Sequence, residues 1–251
     1  MSWNFLGWPF RDGSVGTGQW TGSVVVDRQN TSGFGSLANT AWLGWIGNWQ
    51  YEAQRPVPPT WGKGAESIFR KLLLAPSPRG FELVQRPIAA LQTLRGPVVS
   101  VPPFAVQGIV PVTQFQPLTN TCEIEAVFER GAANQHAGLN VCVGGGNKVV
   151  VGFDAAINNV WLDRTQSGSI GFHPAFPNVV HAPLASSTGP VKLHIFVDQC
   201  SIEIFVNDGE RVLTSQIYPN AANRGVELFS SFGPSTLQSF KAWPLASIWS
   251  P

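Results

Sequence analysis

Tryptophan is the residue type with the clearest chemical use in this sequence. Seven of the ten tryptophans lie within the first 61 residues: Trp3, Trp8, Trp20, Trp42, Trp45, Trp49 and Trp61. Flat rings with one polar N–H suit the apolar faces of sugars, and the same rings are enriched in cores and subunit interfaces. The clustering therefore indicates a carbohydrate-binding surface or a packed contact, and both interpretations stay open at this point.

Histidine and cysteine offer little for metal or redox chemistry. The spacing of the histidines is not that of metal ligands, so we predict no metal site and no cofactor. The histidines are His136, His173, His181 and His194. Three cysteines, Cys122, Cys142 and Cys200, predict free thiols, with Cys122 and Cys200 buried by the strand pattern. The glycine run at 144–146 precedes a strand and favours a hairpin turn over a phosphate cradle.

The composition excludes several classes of partner. Only 12% of the residues are charged and the formal net charge is +1, so we predict no nucleic-acid partner and no membrane surface as a partner. The apolar runs are far too short to span a bilayer. The first five residues lack the cationic start and apolar stretch of a secretory signal peptide. The 251 residues provide core material for one large domain or two small ones.

Alternating apolar and polar residues predict a largely antiparallel β-structure. In residues 191–218, Val191, Leu193, Ile195 and Val197 share one face of a strand, and a second strand with the same alternation follows. Asn207-Asp208-Gly209 then supplies the positive-φ residues of a tight hairpin before a third strand. Further strands are predicted over 122–128, 148–154, 159–164, 226–232 and 237–249. We therefore predict an all-β fold, an antiparallel β-sandwich.

The region before this sandwich is organised differently. Strands are predicted over 20–27 and 41–51, after an aromatic-rich, glycine-rich start. Residues 67–75 form a short apolar segment whose length fits a strand or one helical turn. Pro76-Ser77-Pro78-Arg79-Gly80 is the best candidate for a domain boundary, because proline, glycine and serine interrupt two apolar segments. The predicted division is a short N-terminal strand region at 1–75 and a sandwich at 76–251.

The strands around residues 196–209 also carry a family resemblance. Phe196-Val197-Asp198-x-Cys200-Ser201-x-Glu203-x-Phe205 followed by Asn-Asp-Gly resembles the C-terminal β-sandwich signature of glycoside hydrolase family 32, the invertases, inulinases and levanases. Five further blocks agree in family order: residues 22–35, 44–51, 83–87, 151–154 and 163–168. The resemblance, nearest to fungal exo-inulinases, covers nearly all of residues 20–249. It implies that residues 1–75 are a remnant of the family's β-propeller.

The resemblance does not extend to the catalytic motifs of the family. Retaining glycoside hydrolysis needs two carboxyl groups about 5 Å apart. The family carries its carboxylates in Trp-Met-Asn-Asp-Pro-Asn-Gly, Arg-Asp-Pro and Glu-Cys-Pro motifs, and none of these occurs in the sequence. We therefore predict no catalytic residue, and a chain that is more consistent with a non-enzyme than with an enzyme.

Four residues remain as a predicted ligand site. The family lines its fructose pocket from the blocks that match Gly22-Ser23 and 45–49, so the resemblance implies a site of Ser23, Trp45, Asn48 and Trp49. The preferred hypothesis is a catalytically incomplete, lectin-like protein that binds a glycan such as a fructan or fructoside.

Two other functions stay open. One is a β-fructofuranosidase with a rearranged carboxylate pair, Asp12 with Glu52 or Glu66. The other is a structural or interaction module, because sandwiches of this family often mediate dimerisation. A truncated propeller would leave strand edges uncovered, so we expect a homodimer or higher homo-oligomer. Localisation stays unknown, since family relatives are usually secreted while an odd number of free cysteines fits the cytoplasm or non-classical export.

Overall fold

The computed structural model describes residues 22–27, 39–58, 64–77, 80–131 and 135–248. Strands and short 3-10 turns make up its regular structure, and no helix in these ranges is long and apolar enough to cross a membrane. The strands are β1 Gly22–Asp27, β2 Asn39–Ile46, β3 Ala65–Glu66, β4 Arg70–Ser77, β5 Gly80–Pro87, β6 Val99–Val101, β7 Phe104–Pro111, β8 Cys122–Phe128, β9 His136–Gly144, β10 Asn147–Asp154, β11 Asn159–Asp163, β12 Val179–Pro183, β13 Val191–Val197, β14 Ser201–Val206, β15 Arg211–Gln216 and β16 Gly225–Pro244. The predicted all-β class is confirmed.

The first sheet is antiparallel and has the strand order β1-β2-β4-β5, with β3 paired to the end of β2. Strands β4 and β5 form a hairpin whose pairing runs from Arg70 opposite Pro87 to Ser77 opposite Gly80. The proposed boundary at residues 76–80 therefore lies at the tip of a hairpin, and the first sheet continues through it to Pro87. The division at residue 75 stays a proposal, and the pairing does not support it.

The sandwich is built around the 20-residue strand β16. Its first half pairs with β9 and its second half pairs with β8 and β6. Strand β7 pairs along both halves, with a register shift between Ser230 and Ser235. Phe232 and Gly233 have positive φ values of 60° and 133° at this bend. One layer therefore has the order β12-β11-β10-β9-β16, and the other has the order β16-β8-β13-β14-β15. Two separate strands were predicted for this region, and that prediction is wrong.

The core lies between these two layers and follows the predicted alternation. Val191, Leu193, Ile195 and Val197 of β13 are all buried in it. Burial raises the pKa of the Cys142 thiol to about 12 and also raises that of Cys122. The free-thiol prediction is confirmed for all three cysteines, but Cys200 is only half-buried because it lies in the turn before β14.

Two glycine-containing turns match their predictions. The hairpin between β14 and β15 places Asn207, Asp208 and Gly209 at φ values of 49°, 60° and 97°. The turn between β9 and β10 contains Gly145 and Gly146 at φ values of 55° and 80°. Left-handed backbone of this kind favours glycine and asparagine, which explains the residue types.

Candidate functional site

The predicted site lies around the turn that follows β2. Trp45 is the penultimate residue of β2, and Trp49 lies on the turn with 71% of its surface exposed. The two ring centroids are 5.3 Å apart and the planes are tilted by 45°. Ser23 lies on the neighbouring strand β1, with its backbone opposite Leu43. The structure therefore brings the half-buried ring of Trp45 and the exposed ring of Trp49 together as an aromatic pair.

The ring of Trp45 is held against glycine backbone. A Cβ atom on Gly47 or on Gly64 would overlap this ring, and Gly64 also has a φ of +100°. Trp45 therefore has a packing role, since it closes the turn, and Trp49 is the more accessible ring of the pair.

Asn48 shapes the turn that carries Trp49. Its side-chain Oδ1 accepts a hydrogen bond from the backbone N–H of Gln50 at 2.8 Å. Its carbonyl oxygen accepts from the N–H groups of Tyr51 and Glu52 at 3.1 and 2.8 Å. These bonds use Asn48 as a turn former, and a sugar contact from it stays a proposal.

Glu52, one candidate of the rearranged carboxylate pair, is buried in a network of polar contacts. It forms an ion pair with Arg55, and its carboxylate accepts from Nε2 of Gln216 at 3.2 Å. The same Nε2 donates to the carbonyl of Ile46 at 3.0 Å. Glu66 lies exposed on β3, and Asp12 lies outside the described residues. The contacts of Glu52 are those of a structural carboxylate that fixes the turn to the sandwich.

A buried ion pair connects the first sheet to the sandwich. Arg70 of β4 donates to the carboxylate of Glu203 of β14 at 2.5 Å and to Oγ1 of Thr214 at 2.5 Å. The other oxygen of Glu203 accepts from the N–H of Ile68 at 2.6 Å. The guanidinium group also lies over the rings of Trp42 and Phe205, at 4.9 and 5.4 Å from their centroids. Glu203, a residue of the sequence signature, therefore anchors the first sheet.

A second connection starts from Arg164, in another of the sequence blocks. Its Nη2 donates to the hydroxyl of Tyr51 at 3.0 Å, and its Nη1 donates to Oγ of Ser215 at 2.8 Å. Its guanidinium group lies 4.2 Å from the centroid of Phe176. Tyr51 follows Trp49 by two residues, so this contact orients the aromatic turn relative to the sandwich.

One cluster of possible metal ligands among the described residues is paired with arginine and lysine side chains. Ligand atoms of Glu123, Glu125 and His194 lie within 4.8 Å of one another. However, Arg95 donates to Glu123 at 2.7 Å, and Lys192 lies 3.5 Å from Glu125. Burial raises the pKa of Glu123, but hydrogen bonds from Arg95 and His194 outweigh burial, and the pKa falls below its ordinary value. This arrangement suits a structural ion-pair network.

We expect this network to contribute to stability with a specific pH dependence. A carboxyl group with a lowered pKa in the folded state stabilises above its unfolded pKa, here about 4.5, and loses that contribution as the pH falls through the folded value. Glu123→Gln should therefore lower the free energy of unfolding at pH 7, and its difference from the wild type should shrink below pH 4.5. Urea denaturation at several pH values measures this, with Glu66→Gln as the exposed control. A difference that stays constant down to pH 3 would contradict the assignment.

Comparison with known proteins identifies the family. The protein-family model described as Glycosyl hydrolases family 32 C terminal matches residues 90–244. The chain belongs to this family. It is 35% identical over 211 residues to a levanase of Bacillus subtilis (strain 168), and 32% identical over 217 residues to the extracellular exo-inulinase of Aspergillus awamori. The resemblance seen in the sequence is confirmed.

Solved structures of family 32 enzymes have the same architecture. The crystal structure of the Aspergillus awamori exo-inulinase matches with a TM-score of 0.74 at 30% identity, and covers 85% of this chain and 42% of that one. Fructan 1-exohydrolase IIa from Cichorium intybus matches with a TM-score of 0.72 at 13% identity, which supports the fold alone. The alignments cover 83% and 85% of this chain, but only 31% of the levanase and 40% of the exo-inulinase.

Proposed function

We propose that this chain is a family 32 protein that binds fructans or fructosides in a lectin-like manner and does not hydrolyse them. The aromatic pair of Trp49, which is 71% exposed, and the half-buried Trp45, with ring centroids 5.3 Å apart, carries this proposal. Exposed indole rings stack on the apolar faces of sugar rings. The levanase and exo-inulinase relatives point to fructans as the glycan class.

The connections to the sandwich support this role because they hold the aromatic turn in place before any ligand arrives. Gln216 and Arg164 bond to Ile46, Glu52 and Tyr51 on either side of Trp49. A preorganised ring loses less conformational freedom on binding. Ser23 and Asn48 are the proposed hydroxyl partners. One stacked ring with a few hydrogen bonds gives affinities of roughly millimolar per site, which multivalency in a homo-oligomer would increase.

Trp49→Ala should weaken binding to inulin and levan at least about tenfold, because the ring provides most of the apolar contact. Affinity electrophoresis in polysaccharide-containing gels measures the change. Phe81→Ala is the matched control, since Phe81 is another exposed aromatic residue, 73% accessible, on β5 of the same sheet. Circular dichroism and light scattering establish that fold and mass are unchanged. Equal binding by wild type and Trp49→Ala would refute the proposed site.

Two other functions have an observation in their favour. A structural module is supported by the buried Arg70–Glu203 pair, which joins the first sheet to the sandwich. The similarity to a levanase and an exo-inulinase supports a β-fructofuranosidase. Its carboxylate pair would be Asp12 with Glu66, because Glu52 is held by Arg55 and Gln216. A fructose-release assay on inulin, levan and sucrose separates the enzyme from the lectin, and we expect background activity. Robust release that disappears in Glu66→Gln would establish the enzyme instead.

A further inference from the structure

The outer face of the β12-β11-β10-β9-β16 layer carries an ordered row of residues. The inner face of this layer contributes core residues such as Leu162, Val151, Leu139 and Leu228. The outward residues between them align in register across six strands. The row is His181, Trp161, Gly152, Gly138, Phe229 and Ile109. Two aromatic side chains therefore lie on either side of a floor of glycine backbone.

The ring of Trp161 lies across this floor. A Cβ atom on Gly152 would overlap the ring, so the glycine allows the indole to lie flat along the sheet. The ring centroid of Trp161 is 6.2 Å from that of Phe229 and 5.4 Å from that of His136. Phe232, 67% exposed, extends the cluster at 5.1 Å from His136. The result is an aromatic platform on the sandwich, separate from the Trp49 turn.

Polar pairs flank the platform on both sides. On one side, Asn140, only 2% exposed, donates from Nδ2 to the carboxylate of Glu227 at 2.9 Å. On the other side, Nε2 of His136 lies 3.1 Å from the carboxylate of Asp154. The register puts these pairs two residues to either side of the aromatic row, on the same face of the sheet. Carboxylate oxygens therefore lie along both edges of the platform.

A cavity of about 250 Å³ is lined by Lys148, Val150, Asp163 and Gln166. It lies along one edge of the platform, because Val150 pairs with Asn140 of the polar edge. Val150 and Asp163 lie opposite each other, two residues from Gly152 and Trp161 on the same face. Ligand pockets for drug-sized molecules occupy about 300–1,000 Å³, so this cavity suits a smaller unit such as one sugar residue. Lys148 provides a donor and Asp163 an acceptor for hydroxyl groups there.

We infer that this outer face is a second glycan-binding site, in which one sugar residue occupies the cavity beside Trp161 and the following residues extend toward Phe229. The ligand class is a neutral oligosaccharide, because the platform combines stacking surfaces with hydrogen-bonding side chains along both of its edges. The centre of a protein–protein interface is depleted of charged residues. Here Lys148, Asp163, Asp154 and Glu227 lie directly beside the aromatic row, which favours a glycan over a second copy of the chain.

Affinity electrophoresis of the whole chain with levan and inulin tests this site. Trp161→Ala should weaken binding about tenfold in both the wild-type and the Trp49→Ala backgrounds, because it removes the stacking surface. Lys148→Ala should weaken it about threefold, because it removes one hydrogen-bond donor. Phe81→Ala should bind as the wild type does. Light scattering on each variant reports the mass.

The two proposed sites can fail independently. If Trp49→Ala has no effect while Trp161→Ala and Lys148→Ala weaken binding, the outer-face site stands and the Trp49 site falls. If Trp161→Ala and Lys148→Ala bind levan and inulin as their parent proteins do, the outer-face site is refuted. It is also refuted if Trp161→Ala lowers the molar mass measured by light scattering, because the face is then a contact between subunits. If Trp161→Ala fails to fold, the result for Lys148→Ala decides.

Discussion

Arg70→Met should lower the free energy of unfolding by about 3–5 kcal/mol, because breaking a buried ion pair leaves an uncompensated charge. Glu203 is only 2% exposed, and Arg70 provides its ion-pair contact between the two sheets. Burial raises the pKa of Glu203 and Arg70 opposes that shift, so methionine in place of Arg70 leaves only the hydrogen bond from the N–H of Ile68 to oppose burial. Urea denaturation monitored by circular dichroism and by tryptophan fluorescence measures the loss.

The matched controls separate the ion pair from the loss of any arginine. Arg86→Met on β5 removes an exposed guanidinium group that donates to the carbonyl of Asp208 at 3.1 Å, and should change stability by less than about 0.5 kcal/mol. Arg70→Met combined with Glu203→Gln should be more stable than Arg70→Met alone, since the second change removes the unpaired carboxylate. Equal losses for Arg70→Met and Arg86→Met would mean that the ion pair contributes little.

The strands of the sandwich were predictable because their alternation is local. Val191, Leu193, Ile195 and Val197 occur at a spacing of two, and each one is buried. The positive φ values at residues 207–209 follow in the same way from Asn, Asp and Gly at a hairpin tip. Burial on one face of a strand leaves a pattern within seven residues, which can be recognised without knowledge of the partner strands.

Proline and glycine residues that interrupt the apolar–polar alternation do not by themselves indicate which structure follows. Proline and glycine at 76–80 are compatible with a linker and with a hairpin tip, and the structure has the hairpin. Separate strands are predicted over 226–232 and 237–249, whereas β16 bends between these ranges and continues from one layer into the other. Local composition shows that the chain turns, but which strands pair beyond the turn depends on distant residues.

The connections that hold the site are absent from any local pattern. Arg70 and Glu203 are separated by 133 residues, and Tyr51 and Arg164 by 113. The family resemblance implies that Trp45 and Trp49 are ligand residues. Glu203 and Arg164 lie in matching sequence blocks, but the resemblance assigns no role to them. A charged residue within a strand whose residues are otherwise buried, as Glu203 is in β14, is the one signal that could have indicated a buried partner.

Gly209→Ala should destabilise the protein by about 3 kcal/mol or more, because two separate costs apply at this position. The residue has a φ of +97°, and a Cβ atom there would overlap the carbonyl of Gln85 on β5. The hairpin tip and the first sheet would have to move apart, which weakens the same contact that Arg70 and Glu203 hold.

Gly146→Ala isolates the first of these costs. Gly146 has a φ of +80°, and a Cβ atom there has no heavy atom within 4 Å, so only backbone strain of about 1–2 kcal/mol applies. The difference between the two variants in urea denaturation therefore measures how tightly the β14–β15 hairpin is pressed against β5. Gly209→Ala and Gly146→Ala could lower the free energy of unfolding by the same amount. The β14–β15 hairpin would then shift away from β5 at little cost, and side-chain bonds alone would hold the first sheet on the sandwich.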